Sequence, residues 1–290
     1  MKPSRSSLIT LRRHRCHLRL WGEDDAPLLV MLHGWGDVSA SWQFVVDAFS
    51  REWRVVAPDW RGFGLSEGNR DVYWFADYMA DLDALLEQLS PNAPVDLVGH
   101  SMGGNIAGLY AGVRPGRVRR FVNIEGTGLP RHAPDEAPER YGQWLDQLRG
   151  PAPSYRPYAD RHAFATRLMK DNPRLTVERA VWLAEHFTDE LAEGGVTVNF
   201  DPWHRFTQPI LYRVEEAMAC WRRVEAPVLF VAGRQSFFFT KFYPLESDEL
   251  RQRLACFRDL REVVFEDCGH NIHHDRPAEL AALIEEFVTP

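Results

Sequence analysis

Val95-Asp96-Leu97-Val98-Gly99-His100-Ser101-Met102-Gly103-Gly104 is the stretch on which the fold turns. Val95 to Val98 is a short, mainly apolar run of the kind that forms a strand buried on both faces. Residues 102–113 carry apolar side chains at helical spacing. Strand and helix therefore meet across the segment Gly99-His100-Ser101-Met102-Gly103, a G-x-S-x-G pattern in the strand-to-helix setting that gives it meaning. So sharp a turn predicts strained backbone at Ser101 and leaves room only for glycine on its two flanks. It also lifts the Ser101 hydroxyl clear of the sheet and aims the N-terminal N–H groups of the following helix at any negative charge that develops beside it.

The rest of the chain repeats this alternation. Leu28 to Leu32, Arg54 to Ala57, Val118 to Ile124, Val228 to Val231 and Val263 to Phe265 are further short apolar runs. Trp74 to Leu89, Leu250 to Phe257 and Pro277 to Phe287 read as helices, and Ser7 to His14 and Cys16 to Leu20 alternate as half-buried antiparallel strands do. The pattern predicts an α/β fold with a mainly parallel sheet, helices on both faces and right-handed crossovers. Residues 127–222 break the rhythm with prolines, many aromatics and helical pieces but no core strand. A structureless loop of that length is implausible in a compact domain. We expect a helical cap at 127–222 inserted into a core formed by 1–126 and 223–290.

Composition excludes several functions. Of the 290 residues, 45% are hydrophobic and 26% charged, as in soluble globular proteins, and the formal charge of −7 gives no electrostatic reason for a nucleic-acid partner. Arg12, Arg13, Arg15 and Arg19 alternate with apolar residues and read as a solvated strand face. The four cysteines lack metal-ligand spacing, which fits free thiols in a reducing compartment. The polar N-terminus carries no signal-peptide pattern, and no run reaches the roughly 18 apolar residues of a membrane span. The expectation is a cytoplasmic protein without a membrane span; its oligomeric state is not legible.

The motifs together resemble the α/β-hydrolase family from about Leu28 to Val288. Beside the elbow at Ser101 these are His33-Gly34-Trp35-Gly36, the segment Pro58-Asp59-Trp60-Arg61-Gly62-Phe63-Gly64-Leu65-Ser66, and Gly269-His270 after the last strand. The resemblance implies an eight-stranded sheet and Ser101 as nucleophile. It also implies His270 as general base and an oxyanion hole made by the backbone N–H groups of Trp35 and Met102. The chemistry agrees: a serine hydroxyl needs a base, and imidazole titrates near neutrality. Preorganised N–H donors stabilise the oxyanion formed when a carbonyl is attacked. Asp59 and Arg61 suit a scaffolding role. His270, His273 and His274 form an H-x-x-H-H string, but no acidic or cysteine ligand pattern accompanies it in the sequence, so no metal is expected, nor any cofactor.

The third triad member departs from the family pattern. Its usual loop here reads Gly233-Arg234-Gln235-Ser236, so Ser236 stands where an aspartate is expected. Glu125, which ends the apolar run Val122-Asn123-Ile124, is the favoured acid, as in relatives that carry it after that strand. Asp248, Asp267 or a dyad without an acid are the alternatives. A serine at the elbow, where dehalogenases and epoxide hydrolases of the fold use a carboxylate, points to acyl transfer. Esters of small or medium apolar acyl or aryl groups lead. Thioesters, lactones, amides, C–C bonds and a non-catalytic ligand-binding member stay open.

Overall fold

The computed structural model describes residues 1–69 and 71–289. Among the described residues ten strands form in chain order: β1 Ser4–Leu11, β2 His14–Trp21, β3 Leu28–Leu32, β4 Arg54–Pro58, β5 Val95–His100, β6 Val118–Ile124, β7 Thr188–Glu190, β8 Val196–Val198, β9 Val228–Gly233 and β10 Leu260–Phe265. Eight of them build one sheet in the order β1-β2-β4-β3-β5-β6-β9-β10. β1 and β2 run antiparallel to each other, and β2 runs antiparallel to β4. From β4 to β10 every pairing is parallel. The central strands β3 and β5 are almost wholly buried, which explains why they read as apolar runs without alternation.

Each sheet face carries its own core. On one face Leu97, Phe121 and Val56 pack with Leu82, Leu86, Ile106 and Trp221 from helices Phe75–Leu89, Met102–Val113 and Val214–Trp221. On the other, Leu29, Val98 and Leu229 pack with Val45 and Ile284 from helices Gln43–Ala48 and Pro277–Val288. The four cysteines are all free.

The first strand ends earlier than the sequence suggests. Leu11 pairs with His14, so Arg12 and Arg13 make a two-residue hairpin turn rather than continuing the strand. Both have left-handed backbone, with φ of 52° and 88°. Tight hairpins demand such dihedrals, but the usual Asn-Gly signal is missing here, so the alternation runs through the turn unbroken. The helix expected from Leu250 spans Asp248–Leu254, capped by the Ser247 hydroxyl accepting from the Leu250 N–H at 3.3 Å.

Residues 127–222 contribute no strand to the large sheet. They contain the helices Ala137–Arg149, Arg161–Asp171, Val177–Phe187 and Val214–Trp221, together with the small β7–β8 hairpin. A separate apolar cluster forms here from Phe164, Leu175, Leu183 and Phe187, and it includes Val38 and Ala40 from the loop after β3. Next to Phe200, which packs against this cluster, Asp201 N–H donates to the Gly62 carbonyl at 2.7 Å, and Tyr73 Oη donates to Asp201 Oδ2 at 2.6 Å. No helix is long and apolar enough to cross a membrane among the described residues.

Candidate active site

The site assembles where β3, β5, β6 and β9 end. Ser101 follows β5 with φ 49° and ψ −111°, the strained turn that the sequence implies. Its N–H donates to the Ile124 carbonyl at 2.7 Å, which ties the elbow to the neighbouring strand. The flanking glycines are required by contact. A Cβ on Gly99 would come within 2.6 Å of the Gly103 carbonyl oxygen, and one on Gly103 within 2.3 Å of the Leu32 carbonyl oxygen.

Glu125 follows β6, also with left-handed backbone at φ 57°. Asn123 holds this turn: its Oδ1 accepts from the Gly126 N–H at 2.8 Å and its Nδ2 donates to the Gly126 carbonyl at 2.9 Å. The side chain is 1% exposed. Its Oε1 accepts the Gly233 N–H at 2.8 Å, and its Oε2 accepts the Ser236 hydroxyl at 2.6 Å. The same Oε2 accepts a short hydrogen bond from His270 Nδ1. Three donors thus converge on two oxygens, an arrangement that suits an ionised carboxylate, which only accepts. Burial pushes the Glu125 carboxyl up to about 8, the Ser236 hydroxyl and Gly233 N–H offsetting only part of the rise, so it is the converging donors that favour its charged form. Burial pushes His270 down, with Asp37 acting weakly the other way, so the imidazole is neutral at neutral pH, as a base must be.

His270 sits on a loop pinned at several points. Asp275 Oδ2 accepts from the Gly269 N–H at 2.9 Å, and His100 Nε2 donates to the His270 carbonyl at 3.0 Å. Burial lowers His100 to about 3, so it acts here as a neutral donor. Among the described residues no hydrogen bond joins the Ser101 hydroxyl to His270, but both line one cavity of about 500 Å³. Such contacts commonly tighten only when substrate binds.

Trp35 and Met102 flank the elbow from two elements. The Trp35 side chain is 55% exposed, lines the cavity and stands edge-on to Phe63. Met102 opens the helix after Ser101, where N–H groups have no partner within the helix. The loop of Trp35 is held by His33, whose Nε2 accepts the Trp60 N–H at 2.9 Å and whose Nδ1 donates to the Gly34 carbonyl at 2.7 Å. Gly34 lies so near the elbow that a Cβ there would be 2.9 Å from His100 Nδ1. Asp59 braces the same loop from below, accepting the N–H groups of Ser39 at 2.6 Å and Leu65 at 3.0 Å. Arg61 pairs with Asp81 through two hydrogen bonds of 2.6 and 2.7 Å. Both are scaffolding contacts.

The structure brings Ser101, Glu125 and His270 to one place. Asp248 lies exposed on its helix, paired with Arg251, and Asp267 is exposed beside Gln235; neither touches His270. Ser236 is more than the absence of an acid, since its hydroxyl bonds Glu125 and lies 3.4 Å from His270 Nδ1. Asn123 and His100 went unread in the sequence, because their partners are backbone groups that only the turns bring near.

Fold and elbow point to one class. The chain belongs to the α/β-hydrolase fold family, whose sequence profile matches residues 27–277, and it is a hydrolase. It is 27% identical over 281 residues to a serine hydrolase-like protein of Danio rerio, covering 94% of this chain and 84% of that one. It is 30% identical over 274 residues to the 2-hydroxymuconate semialdehyde hydrolase of Pseudomonas sp. (strain CF600), covering 90% and 86%. Among solved structures it is similar to a thioesterase domain from the curacin biosynthetic pathway, with a TM-score of 0.85 and 26% identity, covering 97% of this chain and 99% of that one.

Proposed function

We propose that this hydrolase cleaves a carboxylic ester through an acyl-serine intermediate, with Ser101 as nucleophile, His270 as base and Glu125 as the orienting acid. The contact between Glu125 Oε2 and His270 Nδ1 carries the reading. It fixes the proton on Nδ1 and leaves Nε2 free to take the Ser101 proton. Ser101 Oγ then bonds to the carbonyl carbon, and the oxyanion is met by the N–H groups of Trp35 and Met102. Protonated His270 returns its proton to the leaving alkoxide. Water, deprotonated by the same imidazole, releases the acid and restores Ser101.

Residues 127–222 serve in this reading as the cap that shapes the substrate pocket, except for the helix Val214–Trp221, which packs in the core against the sheet. Leu168, Leu175, Leu183 and Phe187 come from it, and with Trp35 and Phe237 they give the cavity an apolar wall suited to a small or medium acyl or aryl group. A second reading, a substrate that bears a carboxylate, has one observation in its favour. Arg174 lines the cavity, bonds the Gln235 amide oxygen and forms no ion pair among the described residues. The relative named 2-hydroxymuconate semialdehyde hydrolase fits this second reading.

A fluorophosphonate probe followed by peptide mapping tests the mechanism, and p-nitrophenyl esters of graded chain length test the substrate class. Labelling at Ser101 that Ser101→Ala abolishes is expected. An unlabelled wild-type protein would remove the acyl-serine mechanism.

A further inference from the structure

The loop that carries His270 continues into His273 and His274, and neither has a part in the triad. Both imidazoles are buried, 0% and 5% exposed, and Asp37 from the loop after β3 comes against them at 6% exposed. One ligand-type atom from each of the three lies within 4.8 Å of the others. Asp37 Oδ2 and His273 Nε2 are 3.2 Å apart, close to the ~3.4 Å between neighbouring ligands of a tetrahedral ion with ~2.1 Å bonds. The Val38 N–H holds Asp37 Oδ1 at 2.7 Å, an outer contact that turns Oδ2 toward the histidines.

The polar inventory is incomplete. His274 Nε2 is fully buried and has no hydrogen-bond partner. Buried polar nitrogens are rarely left so. This one belongs to a cluster that holds a buried carboxylate. Asp37 and His274 also line the catalytic cavity, which gives a cation a route in from solvent.

We propose that Asp37, His273 and His274 bind one borderline divalent transition-metal ion, of which Zn²⁺ is the type. Two imidazoles and a carboxylate with a fourth position open are a ligand set for zinc and its first-row neighbours, not for Mg²⁺ or Ca²⁺, which prefer all-oxygen shells. Binding at His273 Nε2 displaces the proton now shared with Asp37 and moves it to Nδ1 of the same ring, so the imidazole stays neutral. Arg179, whose guanidinium donates to the His274 carbonyl at 2.7 Å, is the nearby charge that opposes the cation. The proposal does not rest on the hydrolase mechanism, because Ser101 supplies no ligand.

Equilibrium dialysis of the full chain against Zn²⁺, with metal counted by mass spectrometry, tests it, and the visible bands of the Co²⁺-loaded protein report the geometry. One ion per chain is expected, with Co²⁺ bands of tetrahedral intensity. Asp37→Asn and His274→Gln should each weaken Zn²⁺ binding at least tenfold, whereas Ser101→Ala should bind as the wild type does. No bound ion, or binding unchanged in both ligand variants, overturns the proposal. Circular dichroism checks folding, and if His274→Gln fails to fold, the isosteric Asp37→Asn carries the comparison.

Discussion

Replacing Glu125 by glutamine removes one charge and almost no volume, and the surrounding contacts dictate how the amide must lie. The Gly233 N–H points at Oε1 from 2.8 Å, so the amide oxygen has to take that place. The NH₂ group then falls where Oε2 was, facing His270 Nδ1. Two donors cannot meet there, so Nδ1 gives up its proton and accepts. The proton moves to Nε2, and the imidazole can no longer take one from Ser101. A triad locked in the wrong tautomer loses about 10⁴-fold in kcat, equivalent to about 5 kcal/mol of transition-state stabilisation. KM should barely move, because Glu125 lies behind His270, away from the substrate.

Stability should change little. The amide keeps the Gly233 bond, Ser236 can rotate to accept, and a buried charge disfavoured by its surroundings is gone. A shift within about 1 kcal/mol, or about 2–4 °C in Tm, is expected. The assay is steady-state hydrolysis of a p-nitrophenyl ester beside a thermal melt. A second substitution sharpens it: Ser236 Oγ stands 3.4 Å from Nδ1, so Ser236→Asp in the Glu125→Gln background should regain at least about tenfold of the lost rate by restoring a carboxylate acceptor. Retention of more than a tenth of wild-type kcat in Glu125→Gln, with Tm intact, would refute the tautomer reasoning.

Three further outcomes follow from the same geometry. Gly103→Ala places a Cβ 2.3 Å from the Leu32 carbonyl oxygen; overpacking of this kind costs about 1–3 kcal/mol, and scanning fluorimetry should show a lower Tm together with lost activity. Burial depresses His270, and in its proposed role as base it works only when unprotonated. Activity should therefore hold through neutrality and fall with acid only below the ordinary histidine value of 6.5; an acid limb in kcat/KM at or above 7 would contradict this. Arg174→Gln should raise KM for a hemisuccinate ester about tenfold or more while leaving a matched neutral ester nearly unchanged. Equal effects on both esters would remove the carboxylate-bearing substrate.

Legibility in the sequence followed the range of the interactions. Strands such as β3 and β5 were plain because burial on both faces leaves an apolar run, and the elbow because only glycine fits at residues 99 and 103. The turn at Arg12 and Arg13 was hidden, since its left-handed backbone is imposed on residues that give no sign of it. Glu125 could be favoured as the orienting acid because a carboxylate ending an apolar strand needs a reason. The Ser236 hydroxyl that supports it could not be read, as its partner is 111 residues away. Asp37 stayed unconnected to the H-x-x-H-H string for the same cause: it lies 236 residues from His273, and spacing along the chain carries no trace of their meeting.

The apolar cluster that Phe164, Leu183 and Phe187 share with Val38 and Ala40 bears on traffic through the pocket. Pulling the segment that carries Phe164, Leu183 and Phe187 away from the sheet domain would uncover several of these side chains at about 1.5–3 kcal/mol each, and would also break the Asp201 bonds to Gly62 and Tyr73. Exchange with solvent is therefore expected to use the cavity's existing mouth rather than a swinging cap. Sieving is then the expected outcome: bulk beyond the width of that mouth should slow capture before it touches chemistry, so a series of esters of growing girth should lose kcat/KM while kcat stays level.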